Sequence, residues 1–358
     1  MMDLTPGDIP TQRLLGQHLS GFRYKKPKEL VSWMGAVQAQ DYGMAKWALG
    51  IRLPAATQSV IQNAIDKGEI IRTHVLRPTW HFVSSEDVGW MLALTAPHIK
   101  ASMASRRQQL ELTPAVMNKS FNVIEKALRA GEHLTREELV SELGKAKINT
   151  TDQRAAHLLF YAELDCMICS GAMRGKKNTY ALFAHRVKGH KTITREEALS
   201  RLLTRYFRSH GPATLQDFIW WSGLPVRDAK KAMEMAGKKF HTETIGTQTF
   251  WFQELIPSKQ TGTTVHLLPA FDEYIISYKD RSACLPAKNH TDAISNNGIF
   301  KPVIVVNGMV IGLWRKSTVK NKVVIETDFF KKPKGAKELK TAMEEASAKV
   351  KAFFHPGQ

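Results

Sequence analysis

Apolar residues along this chain fall into blocks of helical spacing, and several of those blocks run into short stretches rich in β-branched and aromatic residues. Leu14, Leu15 and Leu19 predict a helix over 11–20. Pro27 opens a second helix with Leu30, Val31, Met34 and Val37 on one side, proline being suited to a first helical turn. A third helix over 58–66 is stopped by Gly68. Residues 69–83 then turn β-like, with Ile70, Ile71, Thr73 and Val75 ahead of Thr79, Trp80, His81, Phe82 and Val83.

The same order returns twice. Thr135 with Glu138 three positions later is a capping-box signature for one helix. A second helix over 151–163 carries Arg154 and His157, and a hairpin over 166–183 turns through Arg174, Gly175, Lys176, Lys177 and Asn178. Further on, a helix over 196–209 is broken by Gly211 and Pro212. Thr214 with Asp217 starts the next helix, a third covers 228–236, and residues 240–252 form a hairpin around Gly246. Helices followed by a hairpin, three times over, is a repeat of element order with a coarse period of about 80 residues.

Beyond residue 260 the pattern becomes strand-rich. Strands are predicted in 264–278, over 302–306 and 310–314 around Asn307-Gly308, a strong short hairpin signal, and over 322–330. Residues 281–297 read as a polar loop. Leu339, Met343, Ala346 and Val350 form one apolar stripe on a closing basic helix, which predicts packing against a core. The expected fold class is α+β: tandem winged-helix repeats (helix-turn-helix plus hairpin) with a C-terminal β-rich region, divided into 1–110, 111–190, 191–260 and 261–358.

Charge adds a partner. Lys and Arg number 51 against 33 Asp and Glu, a formal net charge of +18 over 358 residues. An excess of this size draws polyanions, since each neutralised phosphate releases counterions. Together with the repeated helix–hairpin order it points to double-stranded DNA. The three cysteines, Cys166, Cys169 and Cys284, are too few for a disulfide framework and suit a reducing compartment. Cys166 and Cys169 have the spacing of a redox pair or half a zinc site, but no second pair lies at zinc spacing, so no metal is expected. Neither a signal peptide nor a membrane span is visible, and a cytoplasmic monomer is expected. No phosphate-binding glycine loop or nucleophile elbow occurs, and no cofactor is expected.

The candidate chemistry begins with Gln38 and Gln40, within Val37-Gln38-Ala39-Gln40-Asp41. In an extended segment, residues two apart point to one side and the two amides converge. In a continuing helix they diverge by about 200°. Taken alone they read as readily as a helix cap or a loop contact. Asp41 is a candidate general base, although a cap on the next helix is the simpler expectation. Arg72 and Arg77, and Arg174, Lys176 and Lys177 at the second hairpin tip, are candidate DNA contacts. His81, Asp272, Glu273 and Tyr274 are candidates to line a channel. His81, beside Trp80, also reads as a core histidine. Asp272 and Glu273, if on one strand, point opposite ways, so only one reaches any site.

Several stretches together resemble a known family, the winged-helix DNA glycosylases of the AlkZ and YcaQ type that unhook interstrand crosslinks. Gln38-Ala39-Gln40 is similar to the family's Gln–apolar–Gln catalytic motif. The run Arg72-Thr73-His74-Val75-Leu76-Arg77-Pro78-Thr79-Trp80-His81 resembles its first wing, with Pro78 where a glycine is expected. Leu267-Leu268-Pro269-Ala270-Phe271-Asp272-Glu273-Tyr274 and Gly312-Leu313-Trp314-Arg315-Lys316 resemble two further blocks. The resemblance implies three tandem winged helices around a concave basic channel, and excision of N7-alkylated purines with Gln38 and Gln40 catalytic. Such a base is cationic and already a good leaving group. Catalysis then needs a placed water and neutral acceptors beside the sugar's developing positive charge. A winged-helix transcription regulator, with glutamines reading adenine, is the competing reading, and an architectural DNA binder is a third.

Overall fold

Helix starts and stops are set where the side chains dictate them. Thr135 accepts from the Glu138 amide while Glu138 reaches back to the Thr135 amide at 2.8 Å, and Thr214 and Asp217 form the same reciprocal cap. The computed structural model describes residues 4–189, 192–236, 239–257, 262–320, 322–332 and 336–354. The chain is of mixed helix and sheet, and it divides into two compact units, 1–62 with 200–358 and 63–199.

The discontinuous unit holds the helices Asp8–Gly16, Pro27–Met34 and Tyr42–Gly50 from the N-terminal part of the chain. It also holds Leu215–Ser222, Val226–Ala236 and the hairpin His241–Ile245 with Gln248–Phe252, turned through Gly246 at φ +62°. Its larger sheet is antiparallel, in the order Lys322–Phe329, Met309–Val319, Val303–Val306, Val265–Leu268. Asn307 and Gly308 both take positive φ at the tight turn, as the sequence predicts. The terminal helix Ala336–Phe354 packs on Val265–Leu268. Val350 and Phe353 are buried, and the Phe353 ring lies 5.2 Å from that of Trp47. Gly50 makes this possible, because a Cβ there would sit 2.3 Å from the Phe353 ring. The stripe is core packing, as expected.

Residues 281–297 differ from the loop expected. Ala287–Asn289 and His290–Ala293 are short helical turns, Cys284 and Leu285 are buried, and the Cys284 carbonyl accepts from the Val310 amide at 2.8 Å. Polar composition concealed this because strand backbone, rather than side chains, supplies the partner.

The second unit opens with the hairpin Ile70–His74 and Trp80–Ser84. Its core gathers Ile124, Leu128, Leu139, Leu143, Leu158 and Ile168. The helix expected over 151–163 begins only at Arg154, since Asp152 and Gln153 adopt left-handed φ values of 52° and 69°. It leads to a three-stranded sheet ordered Leu134–Thr135, Thr179–Leu182, Ile168–Ser170. All three cysteines are free thiols. Burial pushes Cys166 and Cys284 up to about 11, and raises Cys169 well beyond its ordinary range. A thiol reagent at neutral pH should therefore modify Cys169 and Cys284 slowly in the native protein and promptly after unfolding. Equal rates in both states would contradict that. No helix of the described residues is long and apolar enough to cross a membrane.

Candidate active site and nucleic-acid contacts

Apolar spacing carries the second helix to Val37, but the structure ends it at Met34. Gly35 takes φ +80°, and a Cβ there would approach the Trp221 ring to 3.3 Å, so the chain leaves the helix at a residue with little room for a side chain. Val37–Gln38 is then extended, and the chain bends at Gln40. The glutamines lie beyond the helix and not on it. They are unequal in access: Gln38 is 5% exposed, while Gln40 is open to solvent. Asp41 caps Tyr42–Gly50, its Oδ1 accepting from the Met44 amide at 3.0 Å.

Glu273 holds this segment from below. Its Oε1 accepts from the Gln38 amide at 2.6 Å. Its Oε2 accepts from Trp221 Nε1 at 3.1 Å and from the Ser277 hydroxyl. His210 Nε2 stands 3.6 Å from the same oxygen. Burial lowers the His210 pKa, with Glu273 opposing, so this is a contact of a neutral ring beyond hydrogen-bonding distance rather than an ion pair. Beside it, the Asp272 carboxylate takes a two-pronged pair from Arg52 at 2.7 and 2.8 Å and accepts from the Tyr274 amide at 2.9 Å.

These contacts correct the sequence reading of the carboxylates. Asp272 and Glu273 are not on a strand. They cap and open the helix Glu273–Ile276, and both are almost fully buried. Tyr274 is buried too, and its hydroxyl donates to the Gly308 carbonyl at 2.7 Å. Burial raises its pKa well above the ordinary tyrosine range. None of the three lines an open channel, because two buried carboxylates need partners and the fold supplies them from Arg52, Trp221 and Ser277. Arg52, Gln17, His210, Trp221 and Ser277 were invisible as site residues. The sequence signal at the spot is the run from Leu267 to Tyr274, which marks Asp272 and Glu273 but not the residues that meet them.

In the second unit His81 is fully buried, with Nδ1 2.9 Å from the Thr79 carbonyl, so it is a core histidine and not a channel wall. Arg72 is half-buried, its guanidinium 4.2 Å over the Trp80 ring. Arg77 is half-buried in the turn that Leu76 enters at φ +64°. At the second hairpin, Arg174 and Lys177 bridge across a two-residue turn, with Gly175 at φ +62° and both lysines exposed. Arg174 pairs with Glu138, the capping-box residue, which leaves Lys176 and Lys177 as the cations most available to a partner. Among the described residues, no group of three or more His, Cys, Asp or Glu side chains could hold a metal ion.

A protein-family model described as DNA glycosylase AlkZ-like matches residues 31–353. The chain is 24% identical over 325 residues to an interstrand DNA cross-link repair glycosylase of Streptomyces sahachiroi, covering 84% of this chain and 85% of that one. The solved structure of the Streptomyces sahachiroi DNA glycosylase AlkZ aligns with a TM-score of 0.81 at 19% identity, over 99% of each chain. At that identity the structural likeness speaks to the fold alone.

Proposed function

The chain belongs to the AlkZ-like DNA glycosylase family, and from that premise we propose that it hydrolyses the N-glycosidic bond of N7-alkylated purines in duplex DNA, with Gln38 and Gln40 at the reacting bond. It is a hydrolase of N-glycosyl bonds, and family membership replaces the transcription-regulator reading. The observation that carries the assignment of residues is the Gln-Ala-Gln segment itself. It leaves its helix at Gly35, is fastened at the Gln38 amide by Glu273, and presents Gln40 to solvent.

A purine alkylated at N7 departs without a strong acid, so two neutral amides suffice in kind. Their carbonyl oxygens can orient water and sit beside the sugar cation without carrying charge themselves. Gln40 is the more exposed of the two, and Gln38, two residues earlier on the same extended segment, acts at the same bond. A base tied to both strands cannot be swung out freely. Chemistry at an exposed residue suits such a base, and the cross-link repair relative supports extending the substrate class to it. On this reading the protein acts as a monomer in the cytoplasm, and the helix–hairpin segments are its DNA-binding modules.

Incubation with a duplex bearing 7-methylguanine, and in parallel one bearing a bulkier N7 adduct, followed by alkaline cleavage, tests the proposal. Strand breaks at the adduct are expected in at least one duplex. Intact strands in both overturn it. Duplex affinity should fall with rising salt. Replacing Lys176 and Lys177 by glutamine should flatten the slope of log affinity against log salt by about one per lysine. An unchanged slope removes the hairpin tip from the interface.

A further inference from the structure

Cations gather in the discontinuous unit beside the helix that leads to the glutamines. Between Asp8 and Asp41 the chain carries a single acidic residue, Glu29, while Arg23, Lys25, Lys26 and Lys28 follow one another closely. No acid stands between Ser200 and His210, a stretch that holds Arg201, Arg205 and Arg208. The fold brings the two runs together at Trp33. The Arg208 guanidinium lies 4.1 Å from the centre of that indole and the Arg23 guanidinium 5.4 Å. Trp33 is itself fixed, its Nε1 donating to the Gly16 carbonyl at 2.8 Å. Arg23, Lys25, Lys26 and Arg208 are exposed, and among the described residues none of the four forms an ion pair.

Like charges held this close repel one another, and a polyanion laid across them removes the cost. Burial lowers the Arg208 pKa, and Arg205 and Arg23 lower it further against Tyr24, yet a guanidinium keeps its charge. A guanidinium already laid over an indole loses less freedom when its N–H fork takes a phosphate. The helix Pro27–Met34 has 8 residues, a length of about 12 Å. One DNA strand advances about 3.4 Å per phosphate. The lysines before the helix therefore stand about three to four phosphates from the glutamine segment after it. Arg205 ties the second run to the same place, since its Cβ is 3.7 Å from where a Cβ at Gly35 would sit. We propose that Arg23, Lys25, Lys26 and Arg208 hold the phosphate backbone of duplex DNA about three to four nucleotides from the base bound at Gln38 and Gln40. The contact itself needs only a duplex, and its register to the damaged base rests on the reading of Gln38 and Gln40 given above.

The test is binding of the intact protein to an undamaged duplex across a salt series. Lys25→Gln with Lys26→Gln is expected to flatten the slope of log affinity against log salt by about two, and adding Arg23→Gln and Arg208→Gln by about two more. Both lysines are exposed, so the first pair should keep the wild-type melting temperature whatever the changes beside Trp33 do to it. Lys337→Gln with Lys340→Gln, on the terminal helix, removes the same charge elsewhere and should leave the slope as it is. A slope that the first pair does not move overturns the proposal. So does a slope that both pairs move equally, which would make the effect one of net charge. Hydroxyl-radical footprinting on a duplex with a single 7-methylguanine reads the register. Protection about three to four nucleotides from the adduct is expected, and the fourfold variant should lose it. Protection there that survives all four substitutions overturns the assignment. A protein that excises alkylated base while its variants keep the wild-type slope sinks this inference and leaves the proposed function standing. A flattened slope in a protein that excises nothing does the reverse.

Discussion

Replacing both Gln38 and Gln40 by alanine will leave a folded protein that binds alkylated duplex and releases almost no base. Removing one preorganised group that stabilises developing charge typically costs about 100- to 1,000-fold in rate. The two amides serve one transition state, so the double variant should lose at least that much, with less than the product of the single effects. The single variants are informative because the residues differ in access. Gln40 is exposed, and Gln40→Ala should act on turnover with little change in melting temperature. Gln38 is 5% exposed, and Gln38→Ala will also disturb packing, so its effect must be read beside a melting curve. Single-turnover release of 7-methylguanine is the measurement. A folded double variant working at the wild-type rate would falsify the assignment of these glutamines.

Arg52→Leu is expected to be the most damaging single change to stability. The guanidinium uses every one of its N–H donors. Nε donates to the Gln17 carbonyl, Nη1 to the Ala48 carbonyl and Asp272, and Nη2 to Gln17 Oε1 and Asp272. Arg52 and Asp272 side chains are 1% and 0% exposed. Taking away the cation strands a buried carboxylate, which costs about 3–5 kcal/mol. Lysine cannot restore the fork, because an ammonium has neither its reach nor its planar donors. Removing Asp272 as well, as in Arg52→Leu with Asp272→Leu, should recover part of the loss. Urea unfolding of the single and double variants measures this, and a loss in Arg52→Leu of under about 1 kcal/mol would show that water or a rearranged partner solvates Asp272. The effect extends to the site, because Asp272 caps the short helix whose first residue, Glu273, holds the Gln38 amide.

Much of the local structure was legible because local rules govern it. Thr135 with Glu138 and Thr214 with Asp217 announce helix starts through side chains three residues apart, and both caps form. Asn307-Gly308 announces a turn through positive φ, and Asp41 was expected to cap the following helix and does. The stripe at Leu339, Ala346 and Val350 announces a buried face. The Gln-Ala-Gln segment stood out by composition and resemblance, although apolar spacing extended its helix one turn too far. The apolar spacing did not separate Met34 from Val37, and the glycine between them was the local stop signal. Gly35 decided it, through its φ and the nearness of Trp221.

The sequence by itself determined the order of helices and hairpins, the positive charge and the candidate glutamines, since each depends on residue type at short spacing. Tertiary structure alone decided what the acidic residues do. Asp272 and Glu273 meet partners as far away in the chain as Arg52 and Gln38, and burial turns both from candidate channel groups into struts. It alone also made Gln38 and Gln40 unequal and brought Arg23 and Arg208 to the one indole of Trp33. The physical reason is common to all three. A carboxylate's role is set by which donors surround it once water is excluded, and those donors come from segments that no sequence period connects.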